Sequence, residues 1–362
     1  MKIPLSLSAD YCSSWGLWEA TRELIANAMD TNNYRINIDH HRHSILIETY
    51  AGAIPNKYLL LGSGSKKHGD GTIGEHAEGC KLALLVLARE NYELTIKNGR
   101  DSWNTAMEWS DLFEQEHLHI NIEENVYNDE VVRFEIHNLT DAELQEIEGN
   151  FLSGGNIGNY HQCDEGKILL DNKHVGQIYC GGIWVCNDSN LDYGYDFLPK
   201  HLSLDRDRQR VSTFDLQWIT KEMWSQVTKS DDVNAVSLVA DMVEKRSADT
   251  LYLNHSTPNS KVASELFKRY DEKYSGKVLA KTPQEVIELE ASGITNAVFL
   301  GNELFTNIVK SSSEYKALTF ETKVSTVGEL MNKFKEEWVG SMSRPMELDY
   351  EELTNKVIIL AK

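Results

Sequence analysis

What this chain lacks narrows its chemistry before any motif is considered. It has no Cys-x-x-Cys pair, and its five cysteines, Cys12, Cys80, Cys163, Cys180 and Cys186, are an odd and scattered set. That argues against a disulfide framework and a zinc site, and predicts reduced thiols. Long apolar runs are also missing. The longest aliphatic stretch, residues 82–88, is far shorter than the roughly 20 residues a membrane helix needs. The opening MKIPLSLSADY has no extended apolar core, so no secretory leader is expected there. Positive charge is scarce: 36 Lys and Arg face 56 Asp and Glu, a formal net charge of −20. A general nucleic-acid surface is therefore disfavoured, because neutralising phosphates takes clustered Lys and Arg, although a local basic groove stays compatible. No P-loop is present, since Gly276-Lys277 is followed by Val278 and lacks the upstream glycine. There is no internal repeat or low-complexity tract. The remaining expectation is a soluble cytoplasmic protein, with 362 residues long enough for two or three domains.

What is present starts with WEATRELIANAMD, residues 18–30. No Pro or Gly interrupts it, and Leu24, Ile25, Ala28 and Met29 recur near helical spacing, so it reads as a helix. Glu23, Asn27 and Asp30 fall at i, i+4 and i+7 and share one face. A carboxylate, an amide and a second carboxylate so aligned suit a hydrated cation and a polyphosphate; the plainer alternative is a solvated face with an incidental Asn. Some fifty residues on, LLLGSGSKKHGDGTIGEHAEGCKLALLVLAR feeds a glycine-rich loop into an apolar helix over 77–90.

Taken together, the two stretches resemble the ATP-binding site of the GHKL superfamily: gyrase, MutL, the heat-shock chaperones of that group, MORC proteins and the histidine kinases. Glu23, Asn27 and Asp30 match its Glu-x-x-x-Asn-x-x-Asp helix. Gly74-Glu-His-Ala-Glu-Gly79-Cys-Lys81 matches its later glycine motif, and Lys81 fits the MORC-like branch better than the chaperones. The resemblance covers roughly residues 10–140, with a weaker echo to about 220. It implies ATP and Mg2+ as ligands and a two-layer α/β sandwich of the Bergerat type as the fold of residues 1–150. Asn27 would coordinate Mg2+, and Glu23 would act as general base toward the attacking water. Asp30 would order the site. Gly74, Ala77 and Gly79 would line the phosphate approach at the positive end of helix 77–90. Glu78 and Lys66 complete the nucleotide-binding set, and Lys81 would reach a phosphate.

One departure stands out. The family's next motif is Asp-x-Gly-x-Gly, whose Asp accepts from the adenine amino group. Aligned on Ile54-Pro55, the Asp position here is Thr49 and both glycines are alanines, Ala51 and Ala53. A hydroxyl accepts more weakly than a carboxylate, and Glu48 would point to the opposite strand face.

The rest of the chain follows in order. Residues 1–16 are expected to be a short lead-in, with Ser13 or Ser14 capping the first helix. YRINID (34–39) and SILIET (44–49) read as strands around a turn holding His40, His41 and His43, for which a polar hairpin is favoured over a metal site. Residues 51–74, rich in glycine with Lys66 and Lys67, read as a mobile lid. Strands are expected over 92–99, 102–109, 118–123 and 131–138, with Asn98-Gly99 and Asn128-Asp129 as turns. Seven acidic residues and no Lys or Arg between Asp111 and Glu130 read as a solvated edge. Thr140-Asp-Ala-Glu143 reads as a capping box.

SGGNIGN (153–159) marks a domain boundary, and Gly181-Gly182 joins two alternating apolar runs as a hairpin. Residues 151–220 are expected to form a second small α/β domain. In gyrase-like and MutL-like proteins such a domain sends a basic residue to the γ-phosphate; Lys200, Arg206, Arg208 and Arg210 are the candidates, against a plain surface strand of alternating ion pairs. Residues 221–362 read as a helix-rich α/β region with a short βαβα run and no catalytic motif, suited to a protein partner.

Two functions compete: a slow ATPase whose nucleotide closes a lid or drives homodimerisation to control a partner, and a non-hydrolysing nucleotide-binding scaffold acting through its C-terminal region. A DNA-handling clamp is disfavoured by charge. A histidine kinase is disfavoured because no helix with a phosphoacceptor His precedes the site.

Overall fold

The structure is a computed structural model that describes residues 1–60, 78–111, 114–152, 157–202, 204, 211–229, 233–251, 253, 260–318 and 327–360. The chain divides into two compact units, Met1–Met223 and Trp224–Lys362.

The first unit opens with β1 (Lys2–Ser8) and α1 (Leu17–Met29), followed by β2 (Tyr34–Asp39), β3 (Ser44–Thr49) and α2 (Gly79–Arg89). Then come β4 (Glu93–Asn98), β5 (Asp101–Ser110), β6 (Gln115–Glu123), β7 (Val132–His137) and α3 (Asp141–Gly149). Seven strands form one sheet in the order β1-β6-β5-β4-β7-β3-β2, with every neighbouring pair antiparallel. Alternation decides its two faces. Ile45 and Ile47 of β3, Val132, Phe134 and Ile136 of β7, Ile96 and Trp103 share one core with Leu24 and Ile25 of α1, Leu82–Leu87 of α2 and Leu144 of α3. The intervening residues turn to the other face, where Glu48 of β3 meets Arg133 of β7. The fold is thus the two-layer α/β sandwich expected from the sequence.

Four expectations need correction. Residues 2–8 are an edge strand rather than lead-in, because Leu5 and Leu7 alternate into the core and an edge tolerates Pro4. The first helix is capped at Gly16, whose N–H donates to Glu19 Oε2 at 2.8 Å; neither Ser13 nor Ser14 is the cap. The acidic stretch is solvated on its carboxylates, yet β6 is interior, since β1 pairs with its outer side. Finally, Asn128-Asp129 belongs to a connection that crosses β5 and β4 and is no hairpin turn. Other local readings hold. Thr140 accepts from the Glu143 N–H at 3.3 Å and caps α3, and β2 and β3 pair around the histidine turn, where Asp39 Oδ1 accepts from the backbone of His41 and Arg42.

A second sheet follows, built from β8 (Tyr160–Cys163), β9 (Gly166–Leu169), β10 (Gln177–Cys180), β11 (Ile183–Asn187) and β12 (Gly194–Phe197) in the order β11-β10-β12-β9-β8. The Gly181-Gly182 hairpin joins β10 to β11, and Asp196 Oδ1 accepts from the Gly182 N–H at 2.7 Å. α4 (Thr213–Lys229) runs across the division between the units.

The second unit carries α5 (Val233–Lys245), α6 (Ser260–Tyr274), β13 (Val278–Ala280), α7 (Pro283–Ala291), β14 (Ala297–Phe299), α8 (Glu303–Ser311), α9 (Ser313–Lys316), α10 (Val327–Trp338) and α11 (Arg344–Leu360). β13 and β14 are parallel around α7, which Thr282 caps with Pro283 in its first turn, so the expected βαβα run is present. Arg269 of α6 ties α5 by ion pairs to Asp241 at 2.6 Å and Glu244 at 2.9 Å. Among the described residues no helix is long and apolar enough to cross a membrane.

Candidate functional site

A cleft of about 260 Å3 opens between α1 and the helix-bearing face of the large sheet. Its inner wall is α1, through Leu24, Asn27 and Ala28, with Thr31 just beyond the helix. This is the i, i+3, i+4, i+7 set of one helical face. The floor is Ile47 and Thr49 of β3 with Phe134 and Val132, their cross-strand partners on β7. The outer wall is the segment after β3, which contributes Ala51 to Pro55 and Tyr58; Cys80 of α2 closes one end. The lining is mostly apolar, with Asn27, Thr31, Thr49 and Tyr58 as its oxygen-bearing side chains, the usual composition of a small-molecule site.

Asn27 Nδ2 donates to the Glu23 carbonyl at 2.7 Å. That bond ties the amide nitrogen back to the helix's own backbone. Thr49 faces the cleft while its neighbour Glu48 turns to the opposite face. There Glu48 accepts from Arg133 Nε and Nη2 at 2.8 and 2.6 Å, with Arg35 3.9 Å away. Its hydrogen bond holds the Arg133 guanidinium above its usual range. Glu48 is thereby committed away from the cleft, and Thr49 is the strand residue that presents an acceptor there.

Glu23 is buried, and so is Arg22, whose Nη2 lies 3.2 Å from Glu23 Oε1 and whose guanidinium sits 5.5 Å over the Trp15 ring. A Cβ on Gly79 would stand 2.2 Å from Glu23 Oε2. Glycine at the first position of α2 therefore lets the Glu23 carboxylate lie against that helix's N-terminal turn, where exposed N–H groups and the positive dipole end favour an anion. Asp30 is the C-cap of α1, its N–H bonded to the Ala26 carbonyl at 3.1 Å. Lys81 is buried and donates to the Leu60 carbonyl at 2.5 Å. Burial pushes its ammonium below the usual lysine range, with Glu78 opposing that shift.

The residues named from sequence thus fall into three groups, with Lys200 apart from them. Asn27, Thr49 and Ile54 line the cleft. Glu23, Asp30, Glu78, Gly79 and Lys81 flank it on α1 and at the start of α2 without lining it. Lys66, Gly74, Ala77, Arg206, Arg208 and Arg210 lie outside the described residues. Lys200 is exposed in the turn Pro199–His201 and does not line the cleft. Sequence reasoning missed Leu24, Thr31, Val132 and Phe134. Helical spacing from Asn27 signals the first two; the last two depend on which strand pairs with β3. Among the described residues no three His, Cys, Asp or Glu side chains gather as a metal cage. Magnesium that shares phosphate oxygens takes only one or two protein ligands, and Asn27 is the oxygen-bearing amide on the helical wall of the cleft.

No family model matches the sequence, and no curated protein matches it. Among solved structures the chain is similar to the ATPase region of Saccharomyces cerevisiae topoisomerase II. Identity is 11%, the match covers 62% of this chain and 86% of that one, and the TM-score is 0.35. A similar match is to the same region bound to ICRF-187 (dexrazoxane), at 11% identity over 47% of this chain and 62% of that one, with a TM-score of 0.30. Both scores are low. The chemistry of the cleft therefore rests on its own residues.

Proposed function

We propose that the first unit is a GHKL-type module that binds ATP with Mg2+ in this cleft and hydrolyses it slowly. One observation carries the reading: Asn27 from the helix motif and Thr49 and Ile54 from the run over residues 48–55, two stretches picked out by motif alone, line a single apolar cleft beside the glycine-initiated start of α2. The apolar floor of Ile47, Val132 and Phe134 suits a heteroaromatic base, and the Thr49 hydroxyl accepts from its amino group. Asn27 supplies an amide oxygen to the metal. When bound, Mg2+ would offset the negative charge of the phosphates. The start of α2 receives phosphate through its N–H groups. Glu23 takes a proton from water as general base, which requires its carboxylate to move off Gly79 toward the phosphates.

On this reading nucleotide controls the protein by lid closure or by pairing two copies, and the second unit carries the signal to a protein partner. Lys200, Arg206 and Arg208 are the candidate sensors of the γ-phosphate. A second reading, a nucleotide-binding scaffold without hydrolysis, is favoured by the engagement of Glu23 with Arg22 and by Thr49 at the usual Asp position. Calorimetric titration with ATP, ADP and GTP, with and without Mg2+, tests the first reading, which requires Mg2+-dependent ATP binding. Phosphate release over hours separates it from the second.

A further inference from the structure

The outer wall of the cleft, residues 50–60, has no strand of its own. Its regular structure is one short 3-10 turn, Asn56–Leu59, and backbone bonds within it run from Tyr58 N–H to the Pro55 carbonyl and from Leu60 N–H to the Lys57 carbonyl. Side chains from elsewhere hold it. Asn98, buried at the end of β4, accepts from the Ile54 N–H at 2.7 Å and donates to the Ile54 carbonyl at 2.9 Å. A side-chain amide offers one donor and one acceptor in a plane, as a peptide does, so Asn98 pairs with Ile54 as a neighbouring strand would. The next residue supports this docking. Gly99 has φ +62°, and a Cβ there would stand 2.9 Å from Ala53 Cβ. The β4–β5 turn therefore approaches the wall as closely as only glycine permits. Lys81 holds the far end through the Leu60 carbonyl.

We propose that Asn98 is a positioning residue for ligand binding: its paired bonds to Ile54 fix the wall, with Lys81 as the second anchor. This rests on the nucleotide reading of the cleft, in which Ala53, Ile54 and Pro55 pack against bound ATP. Asn98 has no place in the motifs that identified the site.

The experiment titrates ATP with Mg2+ into wild type, Asn98→Ala and Asn98→Asp, and follows hydrogen exchange at the Ile54 amide. Asn98→Ala is expected to weaken ATP about tenfold, the effect of losing two neutral hydrogen bonds of ordinary strength, and to speed Ile54 exchange. Asn98→Asp keeps the acceptor but sets a carboxylate against the Ile54 carbonyl. Its affinity relative to wild type should recover as pH falls and the carboxyl regains a proton to donate. If Asn98→Ala does not fold, that pH-dependent ratio carries the test. Unchanged ATP affinity in Asn98→Ala with faster Ile54 exchange overturns the positioning role, as does an Asn98→Asp ratio that is flat with pH. Wild type that binds no ATP overturns the nucleotide reading itself, and the role of Asn98 with it.

Discussion

The two walls of the cleft are built in opposite ways. The inner wall, α1, satisfies its own backbone, is capped by Glu19 at one end and Asp30 at the other, and buries Leu24, Ile25 and Ala28 in the core. The outer wall, residues 50–60, has only two backbone bonds of its own and is otherwise held by the Asn33 carbonyl, Asn98 and Lys81. The difference teaches that a self-sufficient element places a ligating side chain by helical geometry, whereas a borrowed one has a position only as good as its anchors. Damage to the inner wall should therefore act through single side chains that touch ligand. On the outer wall it should act at a distance.

The largest expected effect tests the inner wall. Asn27→Ala should weaken Mg2+-dependent ATP binding by about a hundredfold or more, near 2.7 kcal/mol, and erase its metal dependence; calorimetry with and without Mg2+ reads both. Gly79→Ala comes next, since its Cβ meets the Glu23 carboxylate. A loss of about 1–3 kcal/mol of stability is expected, largely relieved in the Glu23→Ala, Gly79→Ala double variant. Additive melting shifts would show that the two residues are not coupled.

Thr49→Asp should tighten ATP about tenfold while leaving GTP nearly unchanged, because a charge-assisted bond replaces a neutral one. A competition titration of both nucleotides decides it. The smallest effect sharpens the outer wall: Lys81→Met should weaken ATP and adenosine by the same few-fold factor if Lys81 anchors Leu60. Loss for ATP alone would make it a phosphate ligand. Lys81 also has a pH signature. Its ammonium is depressed by burial, so the unfolded chain binds the proton more tightly and stability rises with pH up to the ordinary lysine value of 10.5. Denaturant midpoints of wild type relative to Lys81→Met should climb accordingly.

Legibility in the sequence follows the same division. β2 and β3 lie where period-2 alternation places them, and α1 begins and ends within a residue of its apolar stretch, because these elements bury one face by a local rule. The floor residues Val132 and Phe134 are hidden in sequence because strand order, β7 beside β3, is a non-local fact. In sequence Asn98 reads only as a turn residue, since its bond to Ile54 spans 44 positions. β1 is hard to read in sequence, because Pro4 argues against a strand unless the strand is known to be an edge.

Cysteine labelling tests most directly whether ATP occupies this cleft. Cys80 lines it, Cys12 and Cys186 are partly exposed elsewhere, and burial pushes the Cys163 thiol up to about 12. Cys163 should therefore stay unlabelled at about pH 8. Mass-spectrometric alkylation with increasing ATP and Mg2+ should slow labelling of Cys80 and leave Cys12 and Cys186 unchanged. ATP that binds by calorimetry while Cys80 labels at its original rate would contradict the assignment of the site.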